Sequence, residues 1–236
     1  MAECLAGGAD VILSLAGRTA SPAAQPVPVR LGGFGGAEGL ARYLSAERID
    51  VLIDATHPYA AKISANAARA VERVGVPLLA LRRPAWTAIA GDRWIAVADV
   101  GAAVTALGSA PRQVFLALGR KELVPFAAAP QHHYLVRSVD PVDPPLAVPH
   151  AVYVTGRGPF AEADDRALLE RHRINVIVAK NSGGAATYGK IAAARALGLP
   201  VIMLRRPALP AVSTVETVEE AVAWLDHATS RTARGV

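Results

Sequence analysis

Two short segments concentrate the groups that can hold anions and move protons. The first, Asp54-Ala55-Thr56-His57-Pro58-Tyr59, places an acid, a hydroxyl, an imidazole and a phenol in one turn. Thr56 also reads as a helix N-cap with Pro58 in the first turn, a role that can coexist with function. His57 is the site candidate here, with Tyr59 beside it. The second, Lys180-Asn181-Ser182-Gly183-Gly184, precedes Thr187-Tyr188-Gly189-Lys190. Flexible backbone N–H groups ahead of a helix favour a phosphate or carboxylate, and Lys180 adds a point charge. Neither a Walker motif nor a strict dinucleotide fingerprint is present.

Three predicted strands end in Gly-Arg: Gly17-Arg18, Gly119-Arg120 and Gly156-Arg157. Glycine lets a ligand approach the backbone, and the adjacent guanidinium can grip a carboxylate or phosphate with two hydrogen bonds. An anion-binding rim is one explanation; arginines on solvent-exposed loops are the other. Remaining candidates are weaker. His132-His133 has no third ligand at metal spacing and reads as a surface turn. Asp164-Asp165 opens a helix, where negative charge complements the dipole. Trp86 and Trp94 flank a Gly-Asp turn and could line the cleft, but ordinary packing is the stronger reading.

Positioning these groups falls to short β-branched runs alternating with Ala-rich amphipathic stretches, the signature of βαβ units. Strands are expected at 10–16, 27–31, 50–55, 77–81, 113–118, 134–139, 151–155, 175–179 and 200–204. Helices are expected at 37–47, 59–74, 100–107, 162–172, 187–197 and 215–226, with Gly75 and Gly198 as left-handed caps. The fold class is α/β, with parallel sheets. Arg48-Ile49-Asp50-Val51 through Leu81-Arg82-Arg83-Pro84 runs strand, helix, Gly turn, strand and paired arginine, and Arg173-Ile174-Asn175-Val176 through Leu204-Arg205-Arg206-Pro207 repeats it. The repeat implies two Rossmann-like lobes of three αβα layers, 1–108 and 109–236, with a cleft between them and ligands at the carboxyl ends of the strands.

Composition narrows the function. The 236 residues include 25 Lys+Arg, of which only four are lysines, against 20 Asp+Glu, giving a net charge of +5. An anionic ligand suits that balance. Nucleic acid does not, because the arginines are dispersed and no basic run interleaves with stacking rings. Apolar stretches are too short to span a bilayer, and the first thirteen residues lack a secretion signal, so a cytoplasmic location is expected. A single cysteine, Cys4, excludes a disulfide framework or multi-thiolate metal site.

Taken together, Leu15-Ala16-Gly17-Arg18-Thr19, Gly32-Gly33-Phe34-Gly35-Gly36, Asp54-Ala55-Thr56-His57-Pro58, Gly156-Arg157-Gly158-Pro159-Phe160 and Lys180-Asn181-Ser182-Gly183-Gly184 resemble the precorrin-6A reductase family through about Leu225. The resemblance implies NADPH-dependent reduction of one macrocycle double bond, turning precorrin-6A into precorrin-6B in cobalamin biosynthesis, with neighbouring pathway enzymes as partners. It implies that Arg18, Thr19, His57, Tyr59 and Asn181 contact the polycarboxylate tetrapyrrole. Gly119, Arg120, Gly156, Arg157 and Gly158 would hold NADPH, and Lys180, Ser182, Gly183 and Gly184 the point where the two meet. The proton donor is left among His57, Lys180, Tyr188 and a bound water. Relatives open with a strand and a Gly-Gly-Thr turn, whereas this sequence opens at Ala2-Glu3-Cys4-Leu5; the first strand is therefore expected to be missing through a misassigned start. Two rivals stand: a nucleotide-dependent reductase of another carboxylated substrate, and a two-lobed anion-binding protein.

Overall fold

In the computed structural model residues 4, 9–17 and 23–232 are described. Arg18 and Thr19 lie outside them. The elements run β1 (Leu13–Leu15), β2 (Val29–Leu31), α1 (Ala37–Ala46), β3 (Leu52–Asp54), α2 (Ala61–Val74), β4 (Leu78–Leu81), β5 (Arg93–Val97), α3 (Val100–Leu107), β6 (Gln113–Ala117), two 3-10 turns (Arg120–Glu122 and Val124–Ala128), β7 (His133–Ser138), β8 (Ala151–Thr155), α4 (Glu162–Arg171), β9 (Val176–Lys180), α5 (Gly189–Ala196), β10 (Pro200–Leu204), β11 (Thr214–Val215) and α6 (Val218–Thr232). Every ladder among them is parallel, as the βαβ pattern predicts. None of the described helices is long and apolar enough to cross a membrane.

The chain forms two compact units, one from residues 1–84 and 207–236, the other from 85–206. The division is not the one expected at 108/109, and strand pairing supplies the reason. After β4 the chain runs through Arg82-Arg83-Pro84 into β5, which pairs with β10 from Pro200↔Arg93 to Leu204↔Val97. After β10 it runs through Arg205-Arg206-Pro207 into β11, which pairs with β4. Each copy of the duplicated Arg-Arg-Pro string is thus a crossover, and each unit's added strand follows the other unit's copy. Residues 85–108 therefore belong to the second unit.

In the 85–206 unit the sheet order is β5-β10-β9-β6-β7-β8. β9 is central, and Val176, Ile177, Val178 and Ala179 are fully buried. That accounts for its unbroken apolar run, since both faces of a parallel strand are covered. Phe115, Leu169, Ile177, Ile191 and Met203 belong to the core of this unit. The other unit carries β1-β2 and a sheet of order β11-β4-β3. Its helices α1 and α2 bury Leu40, Leu44, Ala67 and Ala70. Burying Leu44 to 2% exposure contributes about 2 kcal/mol. α2 ends at Gly75, whose φ of 72° is the expected left-handed cap.

The repeat shares a backbone conformation. Arg48 and Arg173, the first residues of the two repeats, both have φ 51° and are the non-glycine residues with positive φ among those described. The residue after each closes the same bond to the end of the preceding helix, Ile49 N–H to Leu44 O and Ile174 N–H to Leu169 O.

One smaller expectation changes, and two hold with an added detail. His132 is not in a surface turn: it is fully buried, and burial lowers its pKa. Asp165 does open a helix, but it is also buried and ion-paired with Arg137. Trp94 does pack against the core, although its indole nitrogen is buried without a partner.

Candidate functional site

Within the unit formed by 1–84 and 207–236, the turn after β3 is shaped by its own side chains. Asp54 is buried, and its Oδ1 accepts the Thr56 N–H at 3.1 Å. Thr56 therefore does not cap the helix; α2 begins later, at Ala61, with no side-chain cap on its first turn. Instead the Thr56 hydroxyl lies 3.4 Å from that of Ser64 on α2. The Tyr59 N–H donates to His57 Nδ1 at 3.2 Å, and the two rings are 5.6 Å apart. With Nδ1 accepting, a neutral His57 ring carries its proton on Nε2. Asp54, Thr56, His57, Arg82, Arg83 and Glu216 help to line a pocket of about 230 Å³ at the carboxyl ends of β3, β4 and β11. Arg82 donates to Pro210 O at 2.8 Å, while its Nε is buried with no hydrogen bond. The pocket is cationic and acidic at once, suited to a ligand offering both acceptors and donors.

In the 85–206 unit, Lys180 ends β9 and the turn follows at once. Gly183 and Gly184 have φ 68° and 73°, the left-handed backbone that the Gly-Gly pair exists to supply. Lys180 Nζ donates to Glu122 Oε1 at 2.7 Å. Glu122 follows Gly119-Arg120 in the 3-10 turn after β6, and its carboxylate fills space that a Cβ at position 119 would need. Gly119 and Arg120 are exposed beside it. The loop Gly156-Arg157-Gly158 leaves β8 and is pinned to the α5 side: Phe160 N–H donates to Ala186 O at 3.0 Å. Any side chain at Gly189 would meet Phe160 O at 2.5 Å. The three glycine-bearing loops after β6, β8 and β9 thus stand at one end of one sheet, where a parallel α/β fold binds ligands.

Two expected site residues are engaged inside the unit. The Asn181 side-chain amide meets the backbone of Trp86 twice, Oδ1 accepting the Trp86 N–H and Nδ2 donating to Trp86 O, each at 2.8 Å. The Tyr188 hydroxyl is hydrogen-bonded to Arg195, which also pairs with Asp92 at 2.9 Å, and its ring packs against the core. Ser182 continues the turn, its N–H donating to Lys180 O at 2.8 Å. Spacing alone did not single out Glu122, and it gave Trp86 and Arg82 no site role. For Glu122 the available signal was its place two residues after Gly119-Arg120.

Beneath the turn lies Lys190, 4% exposed on α5. Its Nζ donates to Thr187 O at 2.5 Å and stands 5.0 Å from the Trp86 ring. Burial lowers its pKa to about 8, helped by Arg137 and opposed by Asp165. Among the described residues no group of three or more His, Cys, Asp and Glu could hold a metal ion.

Comparison with known proteins adds the chemistry. Residues 1–226 match the model of the family described as Precorrin-6x reductase CbiJ/CobK. A Precorrin-6A reductase from Sinorhizobium sp is 58% identical over 92% of this chain and 84% of its own length. That of Rhodobacter capsulatus is 53% identical over 97% and 91%. A solved structure described as CobK precorrin-6A reductase superposes with a TM-score of 0.93 at 52% identity, covering 96% of this chain and 91% of that one.

Proposed function

From the membership of this chain in the precorrin-6x reductase CbiJ/CobK family, we propose that it reduces precorrin-6A to precorrin-6B in cobalamin biosynthesis, with NADPH as the reductant. One hydride goes to a macrocycle carbon and one proton to its neighbour, leaving precorrin-6B and NADP+. When bound, the nicotinamide supplies the hydride. The protein must hold two polyanions together, align them and place a proton.

The observation that carries this reading is the Lys180–Gly184 turn. Left-handed Gly183 and Gly184 shape a glycine turn whose backbone suits a phosphate, and Lys180 stands at its start, hydrogen-bonded to Glu122. Gly119, Arg120, Gly156, Arg157 and Gly158 stand on loops at the same end of the same sheet, after β6 and β8, and are assigned to the cofactor phosphates. The Lys180 ammonium is assigned as proton donor at the reacting carbon. The pocket at His57, with Arg82 and Arg83, fits a carboxylate arm of the tetrapyrrole, and Tyr59 fixes the His57 tautomer. Arg18 and Thr19 are assigned to the same substrate from their motif. The reading puts the enzyme in the cytoplasm, receiving its substrate from the preceding enzymes of the pathway.

Anaerobic incubation with precorrin-6A and NADPH tests it. A change in macrocycle absorbance with one NADPH oxidised per ring is expected; binding of NADPH without oxidation would favour the anion-binding protein. Lys180→Met should lower kcat and Arg157→Ala should raise KM for NADPH. Unchanged kinetics in both would defeat the assignment.

A further inference from the structure

One residue grips the Lys180–Gly184 turn at both ends. The backbone of Trp86 exchanges two hydrogen bonds with the Asn181 amide, and the Trp86 indole Nε1–H donates to Gly184 O at 2.9 Å. The ring is held in turn, edge-on to Tyr188 at 5.5 Å and within reach of the Lys190 ammonium. Arg206 Nε donates to Asn181 O at 2.9 Å. Trp86 is the second residue of the 85–206 unit and Arg206 its last. Asn181 therefore ties the turn to both segments by which the chain enters and leaves this unit.

We propose that Trp86 and Asn181 are positioning residues for the reduction, Trp86 setting the shape of the Lys180–Gly184 turn through Asn181 and Gly184. The inference rests on the reading of that turn as the reaction site. It also changes the part expected of Asn181, from substrate contact to strut. Glycines at 183 and 184 leave the second half of the turn with no side chains to hold its shape, and a left-handed pair is conformationally permissive. The indole supplies the missing constraint from outside.

Trp86→Phe removes the Nε1–H bond to Gly184 and retains an aromatic ring at the same place. Loss of one such bond predicts a KM for NADPH raised about three- to tenfold. Trp94→Phe is the control, because that indole nitrogen has no partner to lose. Titration with NADP+, which does not absorb indole emission, gives a second readout. The emission should change in the native chain and in Trp94→Phe, and the change should vanish in Trp86→Phe. Kinetics and emission of Trp86→Phe equal to those of Trp94→Phe would overturn the inference while leaving the Lys180→Met result, and so the proposed function, intact. If Lys180→Met itself keeps kcat, the reading of the turn falls and this inference with it.

Discussion

Lys180 Nζ donates to Glu122 Oε1 at 2.7 Å, joining the turn after β9 to the turn after β6. The lysine side chain is 16% exposed and the glutamate 30%, between a surface pair and a core pair. A double-mutant cycle with Glu122→Ala and Lys180→Ala should give a coupling of about 1 kcal/mol in urea unfolding. Additive losses would mean the two loops are not tied by this contact.

Arg137 and Asp165 form the most buried ion pair among the described residues, with side chains 9% and 2% exposed. The guanidinium also lies 3.8 Å from the Phe160 ring centroid, under the Gly156–Phe160 loop. Removing one partner strands a charge, so Arg137→Met and Asp165→Asn should each cost about 3–5 kcal/mol. The double replacement Arg137→Met with Asp165→Leu should recover much of it. Chemical denaturation of the three variants decides this, and a double variant no better than either single one would contradict it.

Stability should rise with pH above neutrality and then fall. Lys190 in the folded chain has its pKa near 8, whereas unfolded it has the ordinary 10.5. Between those values the unfolded chain binds the extra proton, so deprotonation favours the fold by up to about 3 kcal/mol. Tyr134 acts in the opposite sense, its pKa pushed up to about 12 by burial from 10.0. Above pH 10 the unfolded chain ionises first and stability declines. Urea midpoints from pH 7 to 11 should peak near pH 10, and Lys190→Met should abolish the rising limb.

The parallel α/β class and the repeats were legible because chemistry marks both ends of each, yet the exchange of edge strands between them was not. β5 reads Arg-Trp-Ile-Ala-Val and β11 is two residues long. Neither announces its partner, since an edge strand carries only half of a pairing decision. The domain boundary followed from that omission. At the site, Lys180, Gly183 and Gly184 were readable from type and spacing, because φ > 0 and a fixed charge are local properties. The bonds of Asn181 and Glu122 join residues 95 and 58 positions away in sequence, and no local pattern records them.

Arg48→Gly and Arg173→Gly should each stabilise the chain by about 0.5–1 kcal/mol, since left-handed backbone costs a side-chain-bearing residue more than glycine. The two gains should add, because the positions belong to separate compact units. Thermal unfolding of the single and double variants is the check, and a loss at either site would show that the arginine side chain itself is needed there.

The exchange of β5 and β11 fixes an order of events on the ribosome. All six strands of the 85–206 sheet have been synthesised once Leu204 is made, whereas β4 must wait for Thr214 and Val215 to acquire its second neighbour. During elongation the inserted half can close while the flanking half still lacks an edge, so the nascent chain passes through a stage with one finished sheet and one open one.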